Sequence, residues 1–346
     1  MCIRDRALHY VERGVLEWRD VPAPVLQTPN DALLRPIAVA ACDLDRLIAH
    51  RGSPFPGPFV LGHEFCAVVL SVGEGVTTVS PGDQVIASFQ PSCGTCSYCE
   101  QGFSSVCTKA PTTSMYGVGA AGGDWGGALS EQVRMPWADF NLLKIPKGLT
   151  AQDIASGSDN LADGLRAVDE PLRSRPGASV LIAGSGSIPL YAILAARFLG
   201  SEQVSFASDD LYALDIAEAL GAQCLPVKSW PKRFANHDIT FDCTNNAKGL
   251  SAVAKSTQPF GVMTIASMYL APTTPLPLGD LYMKGITLIT GRVNSAAQLQ
   301  RVLGLCEEGL DPGQIKPAVV DMHDAIDAFG DVPLSQKLIF TQPASL

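Results

Sequence analysis

The sequence predicts two folds in one chain, a β-rich domain followed by an α/β domain built on a doubly wound parallel sheet. Three observations carry that prediction. Up to about Lys147 the chain runs as short apolar stretches between proline and glycine, with no long helical period. From about Ala151, strand-like apolar runs alternate with apolar helical stretches, the pattern of βα units. A length of 346 residues exceeds what one core usually accommodates and suits two.

In the first part, Ala32–Val39 and Ala67–Val72 read as strands, with Gly73, Gly75, Pro81 and Gly82 turning the chain. The domain is expected to be a partly open β-barrel beginning at Ala7. Met1–Arg6 is set apart from the fold. In the second part, Val180–Ala183 is a buried strand, followed by a glycine turn and a helix from Ile188 to Leu199. Val204–Ala207, a helix from Leu211 to Leu220, then Asp238–Asp242 and Gly261–Ile265 continue the alternation. Ile286–Thr290 reads as the last strand of the sheet. Its apolar residues, Ile286, Leu288 and Ile289, suit either core or an interface. A helix from Ala296 to Glu308 and a strand from Gln336 to Phe340 follow.

Hydrophobic residues make up 47% of the chain, with a mean hydropathy of +0.17, as expected of a well-buried protein. A net charge of -9 lacks the basic footprint that nucleic acid requires. The longest apolar run, Val180–Leu199, is interrupted by Gly184, Gly186, Pro189 and Arg197, so no membrane span is expected. No apolar segment follows the charged Met1–Arg6, so no secretory signal is expected either. Most cysteines outside the cluster described next lie in apolar surroundings, which points to a reducing, cytoplasmic setting.

Cys93, Cys96, Cys99 and Cys107 form the pattern C-x2-C-x2-C-x7-C. Four thiols so spaced, in a loop broken by Gly94, Ser97 and Gly102, suit one tetrahedral zinc better than two disulfides. With no open coordination position, such a metal is structural. A second signal is Cys42 followed by Gly62-His63-Glu64. A thiol and an imidazole supply two of the ligands a catalytic zinc needs, and the third must come from elsewhere.

The four-cysteine spacing and the residues around it resemble the medium-chain zinc alcohol and polyol dehydrogenases, and the resemblance runs from about Ala7 to Phe340. It implies a GroES-like catalytic domain (7–157, with 293–346 returning to it) and a Rossmann dinucleotide-binding domain (158–292), closing a cleft. It also implies two zinc ions per chain. At the place of the family's third catalytic ligand stands Asp159, in Asp159-Asn160-Leu161 where polyol-dehydrogenase-like members carry Glu-Pro-Leu. Glu64 is then a supporting carboxylate or an alternate ligand, and Asp45 a hydrogen-bond acceptor fixing the His63 tautomer.

The family's proton relay is absent as usually built, because its positions hold Leu44 and Leu47. Three accounts stay open: a route through Glu64 or Asp159 and water, a substitute role for His50, or loss of ordinary turnover. At Asp163 the family often has a threonine beside the nicotinamide. A carboxylate there could stabilise oxidised nicotinamide, bind substrate or face water.

Gly184-Ser185-Gly186-Ser187-Ile188-Pro189 follows a strand and opens a helix, the context in which glycines admit a pyrophosphate to a helix N-terminus. Pro189 replaces the third glycine of the usual fingerprint. Ser208 aligns with the family's ribose-binding aspartate and Asp209 follows at once. With no Arg or Lys from Ser208 to Leu214, NAD is favoured over NADP.

The expected function is therefore hydride transfer between an alcohol, polyol or sugar hydroxyl and NAD(P), the substrate oxygen lying on zinc held by Cys42, His63 and Asp159. An aspartate ligand favours a polyol or sugar. The rivals are an NADP-linked aldehyde reductase and a zinc- and nucleotide-binding protein without turnover. The family's habit implies a homodimer or homotetramer, with a small-molecule substrate and no nucleic-acid or membrane partner.

Overall fold

The computed structural model describes residues 4–269, 271–333 and 335–344. The chain divides into two units, one comprising Met1–Ala162, Asn294–Asp311 and Pro317–Leu346, the other Asp163–Val293 and Pro312–Lys316. The first division therefore falls a few residues beyond the 157/158 expected from sequence, inside the helix Asn160–Arg166.

The first unit opens with eight strands: β1 (Arg4–Glu12), β2 (Val15–Pro22), β3 (Ala32–Ala41), β4 (Phe59–Val60), β5 (Glu64–Val72), β6 (Gln84–Ala87), β7 (Val133–Met135) and β8 (Leu142–Lys144). Arg4–Arg6, set apart from the fold on sequence, are paired in β1 opposite Asp20–Pro22. Asp5 is buried there and accepts the backbone N–H groups of Arg6, Glu131 and Gln132. Those three bonds are the reason so polar a segment can sit inside a sheet. Met1–Ile3 lie outside the described residues.

The helix Asp43–Arg51 was not legible as a period, being only nine residues long, yet its termini follow simple rules. Asp45 accepts the backbone N–H of Cys42 at 3.1 Å, and Asp43 and Asp45 place negative charge at the positive end. Gly52, at φ 92°, ends it.

The second unit holds β9 (Val180–Gly184), β10 (Val204–Ser208), β11 (Gln223–Pro226), β12 (His237–Cys243), β13 (Thr257–Ile265) and β14 (Thr287–Thr290). All pair in parallel, in the order β11-β10-β9-β12-β13-β14. That is the doubly wound order expected of a dinucleotide-binding sheet, with the switch point between β9 and β12. Leu181, Ala183, Ala207, Val253 and Met263 are buried in its core. At the outer edge, every residue of β14 is exposed.

The chain then returns to the first unit with the helix Ser295–Glu307, β15 (Ala318–Asp321) and β16 (Leu338–Thr341). The large sheet of that unit runs β15-β16-β3-β5-β6-β8, with β7 also on β3. Leu34, Val39, Phe65, Val85 and Phe340 fill its core from four of these strands. The fold class is thus the expected one, a GroES-like β unit with a parallel α/β unit. None of the described helices is long and apolar enough to cross a membrane.

Candidate functional site

Two clusters of metal-ligating side chains stand out among the described residues, both in the first unit. In one, Cys93, Cys96, Cys99 and Cys107 are all buried, their sulfurs within 4.8 Å of one another, against Ala110, Trp137 and Phe140. Tetrahedral zinc with bonds of about 2.3 Å needs sulfurs roughly 3.8 Å apart, so small adjustments suffice. Backbone amides already point at the sulfurs: Cys93 N–H donates to Cys107 Sγ and Thr95 N–H to Cys93 Sγ. Amides of Cys99 and Thr108 pull the Cys96 thiol down to about 5, favouring the deprotonated form a metal requires. No disulfide forms among the described cysteines.

In the other cluster, Cys42, His63, Glu64 and Asp159 each bring one ligand atom to within 4.8 Å of the rest. Cys42 caps the helix Asp43–Arg51, His63 directly precedes β5 and Glu64 opens it, and Asp159 directly precedes the helix Asn160–Arg166. His63 Nε2 stands 3.2 Å from Asp159 Oδ2, while Nδ1 faces Asp45 Oδ2 at 3.5 Å. That distance exceeds an ordinary hydrogen bond, and His63 Nδ1 and Asp45 Oδ1 are both buried without a hydrogen-bond partner. The two ring nitrogens thus face different carboxylates, as a metal-ligating histidine with a supporting acid requires.

The charge balance is what tests the site for a cation. Asp45, Glu64 and Asp159 are buried here with one buried ammonium, Lys337. Burial alone would lower the His63 pKa, but Asp45 and Asp159 outweigh it and hold the ring well above its usual value. Burial likewise pulls Asp159 upward, and the hydrogen bond and charge of His63 overcome it. Burial, reinforced by the charge of Asp159, drives the Cys42 thiol far up. Three buried carboxylates against one buried ammonium leave the cluster short of positive charge, and its thiol, imidazole and carboxylate donors fit zinc.

Sequence reasoning missed Lys337, which lies 3.0 and 3.2 Å from the two oxygens of Glu64 and 2.5 Å from Asn160 Oδ1. Burial raises the Glu64 carboxyl to about 8, with Lys337 opposing. Nothing near Lys337 in the sequence signals this pairing. The remaining candidates separate cleanly. Leu44 packs on the core, Leu47 is exposed, and His50 Nε2 is 2.6 Å from Phe329 O. Asp163, in the second unit, is buried and ion-paired with Arg166, whose Nη2 also donates to Gly291 O. Of the three alternatives open on sequence, a carboxylate simply facing water does not fit this burial.

In the second unit, Gly184 ends β9 and Gly186, at φ 92°, precedes the helix Ser187–Phe198. A Cβ on Gly184 would sit 2.2 Å from Cys243 O on the neighbouring strand, so this turn tolerates no side chain. Ser185 is exposed, Ser187 buried and Ile188 half-buried at the helix start. Pro189 falls in the first turn, where its missing N–H leaves no bond unmade. Ser208 is buried at the end of β10 and its Oγ accepts the Asp210 N–H. The helix that follows is capped by Asp210, which accepts from Ala213 N, leaving Asp209 exposed beyond the strand.

Comparison with known proteins identifies the family. Residues 28–147 match the alcohol dehydrogenase GroES-like domain. The chain is 30% identical to L-threonine 3-dehydrogenase of Bacillus licheniformis over 314 residues, 86% of each protein. It is 34% identical over 214 residues to glutathione-independent formaldehyde dehydrogenases of Pseudomonas aeruginosa. That match covers 58% of this chain and spans about half the length of those relatives, 53%. Alcohol dehydrogenase TADH from Thermus sp. ATN1 superposes with a TM-score of 0.89 at 28% identity, covering 98% of this chain and 100% of that one. The chain belongs to the medium-chain zinc-dependent alcohol dehydrogenase family.

Proposed function

We propose that the chain transfers hydride reversibly between an alcohol, polyol or sugar hydroxyl and NAD, with NADP the lesser carrier. One observation carries this reading: a buried thiol, imidazole and carboxylate converge at Cys42, His63 and Asp159, while Lys337 occupies Glu64. Three protein donors leave a four-coordinate metal one position for a substrate. Zinc held there would supply Lewis acidity, lowering the pKa of a hydroxyl brought to it. A second zinc, held by the four cysteines, would brace its loop.

The protein's own residues then divide the remaining work. Asp45 holds the Cys42 backbone and faces the far side of the His63 ring. The hydroxyl proton must reach water, and Leu44 and Leu47 cannot carry it. His50 is engaged by Phe329 O, and Glu64 by Lys337. The Asp159 carboxylate is 13% exposed, and in our reading the proton leaves along its side of the cluster. Gly184 and Gly186 admit the cofactor pyrophosphate to the helix N-terminus. Asp209 receives the ribose, and its charge together with Asp210 disfavours a 2′-phosphate.

Leu44 and Leu47 also favour a second reading, a member of the family that binds zinc and nucleotide without ordinary turnover. The experiment is reduction of NAD, with NADP in parallel, across alcohols, polyols, aldoses and formaldehyde. Turnover with one substrate supports the dehydrogenase. Silence from protein that carries two zincs and binds NADH supports the second reading, and preference for NADPH with an aldehyde would indicate a reductase instead.

We further propose a homodimer built on β14. Leu288 and Ile289 are 36% and 40% exposed on this outer edge, and Tyr282 and Met283 just before it are 85% and 81% exposed. A second copy offers the same apolar, unpaired edge, so two-fold pairing satisfies both. Sedimentation of an Ile289→Lys variant checks this. A monomer is expected, and an unchanged assembly refutes it. The described free thiols support a cytoplasmic setting.

A further inference from the structure

Asn160 occupies the place where Glu-Pro-Leu members of the family have proline, and its amide links two parts of the metal cluster. Lys337 Nζ donates to Asn160 Oδ1 at 2.5 Å. An ammonium can only donate, so the amide oxygen must face it. The amide nitrogen is thereby turned to the other side, where Nδ2 lies 3.4 Å from Cys42 Sγ and 3.5 Å from Asp159 Oδ2. Asn160, Lys337 and Cys42 are buried, so water competes little for the bonds among them, while the Asp159 carboxylate keeps 13% exposure.

We propose that Asn160 is a positioning residue that sets the spacing of Cys42 and Asp159 and tempers the donor strength of the Cys42 sulfur. An N–H directed at a thiolate draws electron density from its lone pair. The sulfur then donates less to a bound cation, which stays more electropositive toward an oxygen ligand. Lys337 is the anchor. Through Oδ1 it fixes the amide's orientation, so the Glu64–Lys337 ion pair acts on Cys42 through one carboxamide. The inference rests on reading Cys42, His63 and Asp159 as metal ligands.

The test uses cobalt(II) in the full-length protein, because thiolate-to-cobalt charge transfer reports the energy of the sulfur lone pair. Asn160→Leu removes the bond from Lys337 and both bonds donated by Nδ2. Asn160→Asp keeps the shape and the bond from Lys337 but offers Cys42 no donor, and it serves if the leucine variant does not fold. In both, the charge-transfer band assigned to Cys42 should move to longer wavelength while the four-cysteine bands stay in place. Loss of cobalt from the Cys42 site to a chelator should be roughly tenfold faster, the scale at which such supporting bonds act. Two cobalt ions per chain with an unmoved band in both variants overturns the role of Asn160. Uptake of a single cobalt, at the four cysteines, by the unmodified protein overturns the underlying site as well.

Discussion

Gly184 offers the sharpest check on the nucleotide-binding turn, through substitution by alanine. The added Cβ would meet Cys243 O at 2.2 Å, its carbonyl carbon at 2.4 Å and its Cβ at 2.8 Å. Two of these atoms are backbone in the adjacent strand, paired with Gly184 itself, so nothing flexible can step aside. Gly184 also has φ +136°, where an L side chain is strained by about 1–3 kcal/mol. Overpacking adds about 1–3 kcal/mol, so Gly184→Ala should lose about 2–6 kcal/mol. The control is Gly200→Ala, at φ +84° with nothing within 4 Å of the new carbon, where strain alone costs about 1–2 kcal/mol. Hydrogen exchange of β9 and β12 amides reads both. Acceleration by more than about thirtyfold is expected for the first variant and by tens-fold at most for the second. NADH affinity should fall in Gly184→Ala only. Equal acceleration in the two variants would refute the steric argument.

Other variants probe the metal centres and the ion pairs. Asp159→Ala should leave one zinc per chain by elemental analysis, and retention of two removes Asp159 from the ligand set. Cys107→Ser should lose the other zinc and expose the 93–107 loop to proteolysis while the Cys42 site still binds cobalt. Lys337→Met strands a buried carboxylate and should cost about 3–5 kcal/mol in urea unfolding, and adding Glu64→Gln should restore most of it. Asp31 is fully buried. Burial raises its carboxyl, but donors on Thr28, Gln27 and Arg134 outweigh that and hold it below its usual value. Its stabilisation is therefore complete above about pH 4 and lost as pH falls further, through the folded-state value. Asp31→Asn should be less stable by about 1–3 kcal/mol at pH 7, with the gap closing below pH 4.

Residues whose chemistry is local were legible, and those that act at long sequence separation were not. Four cysteines in one loop announce themselves by spacing, and Cys42 with His63 by ligand type. The alternating strands of the second unit declare a parallel sheet because they are buried on both faces and read as continuous apolar runs. Lys337, by contrast, is one lysine beside an ordinary strand, and its partner Glu64 lies in β5. The amide of Asn160 acquires its role only from what Lys337 and Cys42 present to it. Arg4–Arg6 looked foreign because their compensation, the amides of Glu131 and Gln132, comes from a distant loop. The exposure of β14 was open on sequence, since Leu288 and Ile289 suit a core strand equally well.

The return of the chain to its first unit has a consequence for biosynthesis. Glu64 precedes Lys337, the ammonium that compensates it, by 273 residues, and the second unit is synthesised between them. Until then the start of β5 holds a carboxylate that cannot be buried unpaired, and β3 lacks its neighbour β16. The interrupted unit, although β1–β8 precede the other unit, must therefore be the later of the two to close on the ribosome. The intervening βα segment, nearly continuous from Asp163 to Val293, can finish its sheet first.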